Sequence, residues 1–460
     1  YDGDDTKTNQ DFVNKYGFKN GGISGTDLIN IRFGLDYAID DMSDINITLG
    51  TYASKLPNVW ISNAYSNTGT AIANYDPAYA TSPCDTSTLA GFVFSGSNVK
   101  PDCVISSIEN PLNNTSKVDF IAPSFEWPVS KILNVTYTRL LPYDLDMTLT
   151  YLYSEEEEAL YRIIDTGYPL VGDQPTVPTE KAPDGRPIYN QTGDSSYAAG
   201  LYNQCCGERS VLSGSLSKAF RDGDTRISLS YTGQDAQNRN AMTSSTSNSN
   251  FGKTGAIDFN NRQVGRSTYE TKHRILATLS SKHYFFGSDK PTQFNLVFTR
   301  ESGGPKYPTF DTFTGRVSDY KSRAFGYEFN LNDDSSSLLY IPTLNDPLIC
   351  WTGGCEDEGS AAALAREAAV LDLLYNTFGL KDYAGKIGPR DAGSFPYQNS
   401  LDLNIIQTLP GFREDDSFVV TFAVENLLNL MDNAKGVVNY GYYSGRIPVI
   451  DMKIVDGKYC

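Results

Sequence analysis

Histidine is nearly absent from this chain: His273 and His283 are the only two among 460 residues. A zinc site built from Cys and His is therefore poorly supplied, and no Ser-His-Asp or Cys-His spacing stands out. Basic side chains are outnumbered too. Lys and Arg total 38 against 55 Asp and Glu, a net charge of -17, which excludes the clustered positive footprint of a nucleic-acid binder. No run of about 18 apolar residues occurs, so a helical membrane span is excluded. The strands of a membrane barrel, which need only about 10 alternating residues each, are left open. The sequence also lacks G-x-S-x-G, H-E-x-x-H, a P-loop and a strand-linked G-x-G-x-x-G, so no enzyme and no cofactor is expected. It has no initiating Met and no signal peptide, and Cys460 follows directly on an apolar, strand-like run; it reads as a piece of a longer polypeptide.

What is present points to β-structure: 30 Tyr, 39 Gly and an aromatic share of 12%. Period-two alternation appears in pairs of runs: Ile31–Tyr37 with Ile45–Leu49, Leu133–Tyr137 with Leu145–Tyr153, Leu212–Leu216 with Ile227–Tyr231, Ile275–Leu279 with Phe294–Phe298, and Leu401–Ile405 with Phe418–Val424. Each pair is read as a hairpin. Between hairpins the connections are long, from Ala53 to Lys131, Ser154 to Arg209, Gln234 to Lys272 and Arg300 to Gln398. Compact soluble domains use connections of about 2–6 residues. Short turns alternating with long loops are the arrangement of antiparallel outer-membrane barrels. Face chemistry agrees. Leu149, Phe418, Val420, Phe422 and Val424 are expected to face lipid, whereas Arg32, Asp36, Asp146, Thr148, Asn295, Thr299, Asp402, Asn404 and Thr421 form a wet lining. Tyr37, Tyr52, Tyr151, Tyr153, Tyr231 and Phe298, near strand ends, suit interfacial girdles.

Of seven cysteines, six lie between the predicted strands in surroundings of Asp, Ser, Gly and Pro. Cys84 with Cys103 and Cys350 with Cys355 suit short-range disulfides in an oxidising compartment. For Cys205 and Cys206 a vicinal bridge and separate partners both stay open, and Cys460 is expected to pair outside this stretch. The run Glu155–Glu158 is read as a solvated charge cluster at an extracellular strand end, and Asp333–Asp334 as oxygen donors without a calcium-loop spacing. No metal is assigned. Residues 359–378 read as a loop helix with Leu364, Val370, Leu371, Leu374 and Tyr375 on its apolar face. The Tyr-, Asn-, Ser- and Gly-rich loops "MTSSTSNSNFGKTG" and "NAYSNTGTAIANYDPAYA" suit a polar ligand such as a peptide or glycan.

Several blocks carry a family resemblance: "NIRFGLDYAI", "PNVWISNAYSNTG", "PSFEWPVSKILNVTYTRLLPYDLDMTLTYLYS", "SLLYIP", "YAGKIGPRDAGSFPYQNSLDLNIIQTLPGF" and "FAVENLLNLMDN". In this order they resemble TonB-dependent outer-membrane receptors of the Oar-like branch. The resemblance implies an all-β, antiparallel transmembrane β-barrel of about 22 strands, of which this chain supplies about ten or more, with long extracellular loops and one loop helix. Residues 1–460 would then be part of one barrel domain. The N-terminal plug, the regulatory-like domain, the TonB box and the remaining strands would lie in sequence outside this chain. The implied function is import of a peptide, glycan or chelate across the outer membrane of a Gram-negative bacterium. Its partners would be outer-membrane lipid and, through the absent N-terminal region, the TonB complex. Two other classes fit the same strands: a non-transporting barrel that acts as surface adhesin or scaffold, and a soluble Greek-key adhesin.

Overall fold

A computed structural model describes residues 8–23, 28–69, 118–164, 170–176, 178–189, 198–287, 290–310, 336–352, 355–413, 416–437, 446–450 and 454–460. Ten strands form one antiparallel meander in chain order: β1 (Arg32–Asp40), β2 (Ser43–Ala53), β3 (Val129–Leu141), β4 (Leu145–Ile163), β5 (Ala198–Phe220), β6 (Thr225–Asn238), β7 (His273–His283), β8 (Thr292–Glu301), β9 (Gln398–Pro410) and β10 (Ser417–Val424). The five predicted hairpins are all present. Among the described residues the sheet is open, with β1 and β10 as its edges.

Because each strand reverses the one before, the five tight turns lie at one end of the sheet and the long connections at the other. Local chemistry makes the turns. Asp40 Oδ1 accepts from Met42 N at 2.9 Å and from Ser43 Oγ at 2.8 Å, closing the first. Tyr143 and Asp144 in the second, and Arg221, Asp222 and Gly223 in the third, take positive φ, which tightens the reversal. Asp and Gly tolerate that conformation best.

The hydrophobic core is not under the sheet. It lies beyond the long-connection end, where the outer ends of β4 and β5 meet segments from the loops. Leu160, Tyr161 and Ile163 of β4 and Leu201 and Tyr202 of β5 are buried there, with Phe12, Phe120, Phe251, Leu339 and Leu374. The short strand Val118–Ile121 pairs in parallel with Ala198–Leu201 and is buried throughout. Gly200 permits this approach, since a Cβ there would overlap the Phe120 ring. Helix α1 (Gln10–Tyr16), capped by Asn9 Oδ1 accepting from Phe12 N at 3.0 Å, sets Phe12 against Phe18 and Phe120 at ring separations of 5.4 and 5.3 Å. Helix α2 (Asn58–Ser66) joins the same cluster: Tyr161 Oη donates to Trp60 O at 3.1 Å. We call this assembly the cap.

Two expectations are corrected. More than one helix lies outside the sheet: besides α1 and α2, the described residues include α3 (Ser247–Gly252), α4 (Ala361–Asp372) and α5 (Leu427–Met431). The second half of "SFVVTFAVENLLNLMDN" stops alternating because Asn426 turns with φ 53° into α5. Helix α4 begins at Ser360, whose Oγ accepts from Ala363 N at 3.2 Å, and it buries Ala363, Glu367 and Leu371. Leu364, expected on its apolar face, is exposed, while Glu367 turns inward to accept from Asn345 N.

Candidate functional site

Register turns the alternation of single strands into two continuous faces. One row of paired residues runs Leu145, Lys218, Ile227, Leu279, Leu296, Leu403, Val424 across β4 to β10. A parallel row runs Phe33, Leu49, Leu133, Tyr153 across β1 to β4. The one cation of the first row, Lys218, reaches to the turn end, where Nζ donates to Tyr143 O. This apolar face is uncovered: Leu149 is 43% exposed and Phe422 58%. Phe418 and Val420 are exposed alongside, whereas Val424 is half-buried near α5.

The opposite face is largely polar from β1 to β8. Asp36, Asn46, Thr136, Thr150, Ser213, Thr232, Arg274 and Glu301 occupy successive positions of one row across β1 to β8. Hydroxyls link neighbouring strands, Thr136 to Thr150 at 3.3 Å and Ser228 to Thr278 at 2.5 Å, and Ser280 Oγ donates to Asn295 Oδ1 at 2.9 Å. Exposed aromatic rings gather at the turn end: Tyr143, Phe220, Tyr284, Phe285, Phe286 and Phe412. Phe412 stacks edge-on against Phe418 at 5.3 Å.

Within the cap, a cleft of about 360 Å³ opens between the outer end of β6, residues 255–272 and residues 387–391. Its wall is a charge network. Buried Arg266 pairs with buried Glu270 and donates from Nη1 to Gly393 O at 2.7 Å and Ser394 Oγ at 2.8 Å. Lys272 Nζ meets Asp391 Oδ1 at 3.1 Å. Arg390, also buried, donates from Nη2 to Asn238 O, and burial lowers its pKa against the attraction of Glu158.

Glu158 corrects the reading of the acidic run. Residues 155–158 are not a solvated cluster at a strand end; they lie inside β4, which continues past the apolar face into the cap. Glu155 pairs with Lys131 at 2.8 Å. The half-buried Glu158 carboxylate accepts Arg239 N at 2.8 Å. Burial pushes the Glu158 carboxyl up to about 7, although the Arg239 N–H and the Arg390 charge pull the other way. Sequence alone missed this, because a run of four Glu carries no sign of which one a neighbouring loop will cover.

The cysteines are placed unevenly. Cys84 and Cys103 lie outside the described residues, as do Asp333 and Asp334. The structure bridges Cys350 to Cys355 and Cys205 to Cys206. The second pair is not between strands, as expected, but within β5. Between the pairs Glu156–Gly207 and Glu158–Gln204 the register advances two residues on β4 and three on β5, so a bulge falls at Cys205–Cys206. Of the histidines, His273 Nδ1 meets Tyr231 Oη at 2.8 Å and His283 Nε2 meets Ser281 Oγ at 3.0 Å. Among the described residues no carboxylate is hydrogen-bonded to the Ser281–His283 pair. No family model matches the chain, and no curated protein matches it.

Proposed function

We propose that the ten-stranded sheet is part of the wall of an outer-membrane β-barrel of the TonB-dependent receptor type, and that the protein imports a polar ligand, a peptide, glycan or chelate, from outside the cell. One observation carries the membrane reading: the outer ends of β4 and β5 bury their apolar side chains with loop segments in the cap, while the alternating part of the sheet exposes its apolar face. A soluble sheet of this size would lose about 25 cal/mol for each Å² of apolar surface left in water. Hydrocarbon removes that cost without any covering layer.

The dimensions and borders of the face agree. From Leu145 to Tyr153, β4 rises about 26 Å along its axis, or about 20 Å at a barrel tilt of about 40°. Rings at the turn end add height toward the band of about 25 Å that such barrels present, and they sit where aromatic girdles sit. The polar face, rich in Ser, Thr and Asn, suits a water-filled lumen. The long connections, on the opposite side from the turns, would be extracellular, and the cap cleft would lie among them. Import rests on the order of the resembling blocks from Asn30 to Asn433 rather than on the faces.

The test uses intact cells with and without the gene. Labelled oligopeptides and oligosaccharides too large for passive diffusion are offered, and accumulation is followed before and after a protonophore collapses the inner-membrane gradient. Gene-dependent, gradient-dependent uptake is expected. Uptake of none of these probes, together with loss of surface attachment on deletion, would replace the transporter with the scaffold.

A further inference from the structure

The last residues of the chain end beside a disulfide in which they have no share. Strand Ile454–Val455 pairs with Lys458–Tyr459 around a turn in which Asp456 and Gly457 take φ of 49° and 74°. This hairpin is held on the segment before α4 by main-chain bonds: Tyr459 N donates to Leu348 O at 2.8 Å, and Cys350 N donates to Tyr459 O at 2.6 Å. The Tyr459 ring is buried 5.5 Å from Phe310 and 6.1 Å from Tyr340, which anchors the hairpin in the cap.

Such pairing fixes where the next side chain goes. Cys460 carries its sulfur as a thiol, 3.3 Å from Cys355 Sγ. The sulfurs of Cys350, Cys355 and Cys460 all lie within 4.8 Å of one another. Cys350 is buried, while Cys355 and Cys460 are half-buried and open to the outside.

We propose that Cys350, Cys355 and Cys460 form a thiol–disulfide exchange site, in which Cys460 displaces Cys350 from Cys355. The Cys460 thiol gives its proton to solvent and its sulfur attacks Cys355 Sγ. A bond forms between Cys460 and Cys355, and the bond between Cys355 and Cys350 breaks. The electron pair leaves on Cys350 Sγ, which takes up a proton. The step is redox-neutral and needs no other reagent. Its product opens the small ring between residues 350 and 355 and ties the C-terminal hairpin covalently to the segment that leads into α4. Cys350 is buried, which disfavours the thiolate that would leave, so the bridge between Cys350 and Cys355 is the resting form.

The test maps disulfides on the full chain, purified in detergent, alkylated in the folded state and digested without reduction. In the parent protein the Cys350–Cys355 peptide dominates. Incubation in a cysteine/cystine buffer should then yield a minor Cys355–Cys460 peptide. In Cys350→Ser the Cys355–Cys460 peptide should rise about tenfold or more over the parent. Recovery of Cys355 and Cys460 as separately alkylated thiols from folded Cys350→Ser would overturn the proposal. If that variant does not fold, the parent decides alone: a Cys460 that stays a thiol at every time in the redox buffer, with no Cys355–Cys460 peptide, overturns it as well.

Discussion

Leu149 and Thr421 lie on opposite faces of the same sheet, and a charge placed at each separates the environments. Leu149→Arg and Phe422→Arg are expected to cost about 2–4 kcal/mol each if they sit near a bilayer midplane, and Thr421→Arg, on the polar face, much less. Denaturant titration of protein folded into lipid vesicles measures the difference, and equal penalties would point to a soluble sheet. Glu158 gives a second prediction. Its carboxyl is raised from 4.5 to about 7 in the folded state, so between those values the folded protein holds more protons than the unfolded chain. Stability is therefore greatest at the acid side of that window and falls as pH rises through 7. Glu158→Gln should flatten this slope in the transition midpoint of the cap between pH 4.5 and 7.5, and a slope unchanged by the substitution would assign it to another group. The strand faces were legible in the sequence because a period of two needs only the residues themselves. The Glu158 environment was not, since Arg239 and Arg390 approach from segments far along the chain.

At the scale of elements, the hairpins and the sites of their turns were readable, because Asp and Gly clusters such as "RDGD" sit between alternating runs. Strand lengths were underestimated. The outer portions of β4 and β5 lose their alternation where both faces become buried, at Leu160, Tyr161, Ala199 and Leu201, so a pattern search stops early. The short helices were missed for a different reason: seven residues, as in α1, are too few to be stable alone and depend on contacts such as those of Phe12 with Phe120. Topology makes its own prediction. Cysteines introduced at Tyr143 or Asp222 lie at the turn end, and one at Leu344 lies in the exposed part of a long connection. With an impermeant maleimide on intact cells, and Cys460 replaced by Ser so that its thiol does not label, only the Leu344 position of the three is expected to label; labelling at the turns with protection at Leu344 would invert the orientation.

For the whole molecule, the cap draws on Phe12, Ile61, Phe120, Leu160, Leu201, Phe251, Phe310, Ile341, Leu374 and Tyr459, side chains spread over nearly the entire length. The hairpins are the opposite case, each closing within a few dozen residues. Local contacts form before distant ones are reached, because closing long stretches of chain costs entropy first. Assembly should then follow a fixed order in which the hairpins pair early and the cap closes only when its final contributor, Tyr459, has docked. Pulse proteolysis during refolding checks this: fragments ending in the long connections should persist as cleavable after strand signals have saturated, and vanish together. A chain truncated before residue 446 should keep its strands yet leave the connections open to protease. The cap would in that way couple the fates of segments that lie far apart in sequence, since Phe12 and Tyr459 share one core and the loss of either loosens the grip on the other.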